Sequence, residues 1–65
     1  MHLKNLAKVR KQKNWSQEKL AREAGISYNT LIKIERDGIK NPKIETVIKL
    51  AKALSISIDE LVGAK

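Results

Sequence analysis

The chain has 65 residues, enough for one domain with a small core, and residues 1–65 read as that single unit. It holds no cysteine, so thiol catalysis and zinc–thiolate sites are excluded, and with a single histidine, His2, beside the N-terminus, no enzymatic activity, metal, cofactor or small-molecule ligand is expected. No apolar run approaches the roughly 20 residues of a membrane span, and no signal peptide pattern opens the chain, which predicts a soluble, cytoplasmic protein without a membrane partner.

The formal net charge is +7, and it is unevenly spread. Lys4, Lys8, Arg10, Lys11 and Lys13 precede the first acid, a local excess of +5. Lys33, Arg36, Lys40 and Lys43 then outweigh Glu35 and Asp37 by +2, while the last third is balanced. A polyanion is the natural partner for that asymmetry.

Hydrophobic periodicity predicts an all-α, compact domain of five helices, over about residues 2–13, 17–24, 28–36, 44–54 and 58–62. In the first, Leu3, Leu6, Ala7 and Val9 form an apolar stripe, with lysines on the other faces. Asn14 ends it. Trp15 precedes Ser16, an N-cap residue for the second helix, and is read as packing against that helix's first turn. Lys19 stands where a capping box would need Glu or Gln, so the box is absent there.

Leu20, Ala21 and Ala24 put small apolar groups on one face of the second helix. Gly25 then supplies a left-handed residue to end it, and Ser27 an N-cap oxygen to start the third. With so short a link the two helices must cross steeply, which is the helix-turn-helix pattern. The same residues would also serve a corner that merely packs. The outward face argues for more, because Asn29 and Thr30 are not the Glu–Lys pairs of an ordinary solvated helix.

Asp37-Gly38 stops the third helix, and Pro42 keeps the following segment in a loop. Ile44, Val47, Ile48, Leu50, Ala51 and Leu54 predict a broad apolar face on the fourth helix. Ser57 with Glu60 fits a capping box for the fifth, in which Ile58, Leu61 and Val62 are apolar. No internal repeat, low-complexity tract or linker is evident.

Taken together, Ser16-Gln17-Glu18-Lys19-Leu20-Ala21, Ala24-Gly25-Ile26-Ser27, Ile34-Glu35-Arg36-Asp37-Gly38, Pro42 and the run Leu50 to Leu61 resemble the DNA-binding domain of phage repressors and Cro proteins, the Xre-type helix-turn-helix family. The likeness covers nearly the whole chain. One departure is Asp37-Gly38, where many members carry a single glycine.

The resemblance implies a sequence-specific regulator of transcription, a repressor, that lays its third helix in the major groove of double-stranded DNA. It implies base contacts from Ser27, Tyr28, Asn29, Ile32 and Lys33. Asn29 matches adenine N6 and N7, Lys33 can donate to guanine, and Ile32 suits a thymine methyl. Phosphate candidates are Gln17, at a helix N-terminus, with Thr30, Lys40, Asn41, Lys43 and Arg10. The family also implies an ion pair between Arg10 and Glu35 that fixes the third helix. One reading helix covers few base pairs, so a homodimer on a near-palindrome is expected, with Ile56, Ile58, Leu61 and Val62 as its interface. A protein-interaction module of antitoxin or anti-repressor type is the alternative.

Overall fold

Leu6, Leu20, Leu31, Val47, Leu50, Leu54 and Leu61 are sealed from solvent, and they come from every predicted helix. Fully burying one such side chain contributes about 1.5–3 kcal/mol, so this shared centre is what holds five short helices together. The structure, a computed structural model, describes residues 3–36 and 42–63. Its elements are α1 (Leu6–Gln12), α2 (Gln17–Ala24), α3 (Tyr28–Glu35), α4 (Ile44–Leu54) and α5 (Ile58–Val62). Among the described residues every regular element is a helix, and none is long and apolar enough to cross a membrane. Packing runs from α3 to α2, from α2 to α4, and from α4 through α5 to α1.

The main departure from the sequence reading is the start of α1. A helix from residue 2 is expected, but α1 begins at Leu6. Asn5 explains the delay. Its backbone N–H donates to the Leu61 carbonyl at 3.1 Å, and its side-chain amide donates to the Glu60 carbonyl at 2.8 Å. Those bonds hold the entry of the chain against α5, while Leu3 is still buried in the core. Another departure lies on α4, where Ile44 and Ile48 are 53% and 39% exposed rather than buried in its apolar face.

Three of the connections share one construction. Asn14-Trp15-Ser16, Gly25-Ile26-Ser27 and Ser55-Ile56-Ser57 each begin with a left-handed residue, at φ 61, 72 and 58°. A half-buried apolar residue follows, and its N–H closes the outgoing helix: Trp15 to the Arg10 carbonyl at 3.2 Å, Ile26 to Ala21 at 3.0 Å and Ile56 to Ala51 at 3.0 Å. A serine then caps the next helix, accepting from the N–H of Lys19, Thr30 or Glu60. At Gly25 an added Cβ would meet nothing within 4 Å. Glycine is needed there for its backbone sign, not for space.

Candidate nucleic-acid interface

The third helix is anchored from behind. Leu31 and Ile34 are 0% and 4% exposed and face α2 and the core, which turns the opposite side outward. That side carries Tyr28, Asn29 and Lys33, all exposed, with Ile32 half-buried at its edge. Asn29 and Lys33 are one turn apart and therefore neighbours on the same strip.

Ser27 is exposed, but its hydroxyl is committed to the cap. It accepts from the Thr30 N–H at 3.0 Å and donates to the Thr30 hydroxyl oxygen at 2.8 Å. Its proton is thus turned from any base, while the Thr30 hydroxyl keeps its own proton to donate. No acid occupies the first turn of α3, so the positive end of its dipole is left uncompensated.

At the other end of α3 lies a polar network. Arg10, only 8% exposed, grips Glu35 side-on, Nε to Oε2 at 2.7 Å and Nη2 to Oε1 at 3.0 Å. Its Nη1 donates to the Trp15 carbonyl at 2.8 Å. Two-pronged pairing of this kind fixes orientation as well as adding energy. Glu35 also accepts from the Gln17 amide at 2.8 Å, so α1, α2 and α3 meet on one carboxylate.

This geometry corrects one expectation. Arg10 is turned inward on all three of its nitrogens and does not face a phosphate. The Gln17 amide donates one N–H to Glu35, which leaves its second N–H and the backbone N–H groups of the first turn of α2 as donors there. Nothing in the sequence pattern could reveal the Gln17 contact, since a half-buried amide has no preferred partner until the helices are assembled.

Lys43, the residue before α4, is exposed. Lys40 and Asn41 lie outside the described residues. Of the four residues expected at a dimer interface, one is withdrawn from the surface. Leu61 is fully buried in the core, and Ile56, Ile58 and Val62 are half-buried against it.

A helix capped by serine, anchored by two aliphatics and presenting an amide and an ammonium defines a helix-turn-helix unit. The Helix-turn-helix family profile matches residues 6–61. The chain belongs to that family, in its Xre/Cro-C1 branch of DNA-binding transcription regulators. It is 47% identical over 58 residues to the cryptic phage CTXphi transcriptional repressor RstR of Vibrio cholerae, covering 89% of this chain and 51% of RstR. It is 40% identical over 58 residues to the uncharacterized HTH-type transcriptional regulator y4dJ of Sinorhizobium fredii, covering 89% of this chain and 74% of that protein. The N-terminal DNA-binding domain of SinR from Bacillus subtilis superposes with a TM-score of 0.85 at 33% identity, over 89% of this chain and 84% of that one. SinR in complex with SinI gives a TM-score of 0.89 at 31% identity, over 98% of this chain and 62% of that one. The chain thus spans about half the length of RstR.

Proposed function

We propose that this chain binds double-stranded DNA in a sequence-specific way and regulates transcription, acting as a repressor from a near-palindromic operator that two copies occupy together. The observation that carries the reading is the exposed Asn29–Lys33 strip on a helix whose opposite side is locked into the core. Asn29 pairs with adenine through both atoms of its amide, and Lys33 donates to guanine O6 or N7. Ile32 and Tyr28 meet thymine methyls. The free Thr30 proton, Lys43 and the first-turn N–H groups of α2 go to phosphates, which fix position without reading sequence. On this reading its work is cytoplasmic.

The protein-interaction alternative asks for an apolar anchor at the centre of the contact face. The centre of this face is Asn29 and Lys33 instead.

Selection from a random duplex pool identifies the preferred site, and Asn29→Ala then tests the assignment. The variant should bind that site about 1–3 kcal/mol more weakly and lose preference at one base pair, with unchanged affinity for random duplex. Equal loss on both duplexes would remove Asn29 from base reading.

A further inference from the structure

Helix α4 leaves one side uncovered. Val47, Leu50, Ala51 and Leu54 fill the core, yet Ile44 and Ile48 stand 53% and 39% exposed one turn apart. At 3.6 residues per turn the row Ile44–Ile48 continues to Lys52, with Glu45 alongside. Both of these charged residues are exposed. The strip is thus apolar at one end and centre, with an acid near its beginning and a base at its end.

We propose that this strip is the surface on which a second copy of the chain docks, α4 against α4, antiparallel. The pattern is self-complementary in that direction alone. Centred on Ile48, an antiparallel partner sets Ile48 against Ile48 and Ile44 against the aliphatic stem of Lys52. Glu45 of each copy then meets Lys52 of the other, twice by symmetry. A parallel pair would instead oppose Glu45 to Glu45 and Lys52 to Lys52, which is repulsive. A two-fold contact of this kind is closed and cannot propagate into a filament.

The contact is small. An 11-residue helix is about 16 Å long and about 10 Å across, so its face offers on the order of 160 Å², short of the roughly 800 Å² per partner of a stable interface. Association of the free protein is therefore weak, and adjacent half-sites on one duplex strengthen it by raising the effective concentration. Only that last step rests on the DNA reading.

Sedimentation equilibrium of the full chain, up to about 1 mM, tests the pairing without DNA. Ile48→Glu should raise the dimer dissociation constant at least about tenfold. Glu45→Lys and Lys52→Glu should each weaken association, and the double exchange should restore it. Melting curves check that each variant folds; all three positions are exposed. A wild-type chain that stays monomeric, whether the strip is bare or serves an unrelated partner, overturns the proposal. So does an Ile48→Glu variant that associates as well as wild type, or a double exchange no better than the single ones. Gel shift of the monomer on an isolated half-site reports separately on the DNA reading.

Discussion

The turn into α3 and the turn into α5 are built alike and finished differently. Both use a left-handed residue, an isoleucine whose N–H reaches back five positions, and a serine cap. At the third position of α5 stands Glu60, whose carboxylate accepts from the Ser57 N–H at 3.3 Å and completes a capping box. Asp59 adds a second acid, so the positive end of that helix is answered from within. The same position of α3 holds Thr30, neutral and short. One joint is closed to anions and the other is left open, although the backbone of the two is the same. Side-chain charge in the first turn, at the second and third helix positions, therefore separates a structural turn from a candidate phosphate site.

The far ends differ as well, since α3 is clamped by Arg10 through Glu35, and this clamp carries the largest expected effect. Arg10→Ala leaves the Glu35 carboxylate, on a side chain only 5% exposed, with Gln17 as its remaining side-chain partner. The loss should be about 3 kcal/mol in a urea melt, a large part of the ~5 kcal/mol stability of so small a domain.

Exchanging the third-position residues tests the comparison directly. Thr30→Glu should weaken DNA binding by about 2 kcal/mol, because a carboxylate then faces phosphate, while thermal stability holds or rises. Glu60→Thr should do the reverse, costing about 1 kcal/mol of stability with DNA affinity unchanged in a gel shift. If both exchanges affect DNA alike, the contrast between the joints has no functional meaning.

The left-handed positions give opposite signs. Ser55 holds φ 58° at a steric cost of about 1–2 kcal/mol, larger than the roughly 0.5–1 kcal/mol of extra chain entropy that glycine brings. Ser55→Gly should therefore raise stability by about 0.5 kcal/mol, and Gly25→Ala should lower it, both read from melting temperature. The smallest effect belongs to Lys43→Ala, which should flatten the salt dependence of DNA binding by about one unit in log–log slope.

Much of this arrangement is legible in the chain itself, because serine caps, a turn glycine and helical periodicity are local signals. Four of the five helices fall within one residue of their expected bounds. What is not legible depends on distant partners. Asn5 delays α1 through bonds to residues 55 and 56 positions away. Gln17 turns inward only because Glu35 arrives beside it. Apolar periodicity groups Ile44 and Ile48 with the core of α4, and does not tell which of Ile56, Ile58, Leu61 and Val62 close the core, because it gives the apolar side of a helix but not how far neighbours cover it. The repeated turn is a different kind of omission. Gly25-Ile26-Ser27 and Ser55-Ile56-Ser57 differ by one residue, and the signal is only three residues long.

Trp15 is the only tryptophan, and it sits between α1 and α2, half-buried against the core. The ammonium groups of Lys13 and Lys19 stand 5.9 and 5.1 Å from its ring centre, and its carbonyl is tied through Arg10 to α3. The molecule therefore has its own optical probe at that junction. Indole emission can follow the ordering of that junction, and any displacement of the two lysines from the ring, without any attached dye.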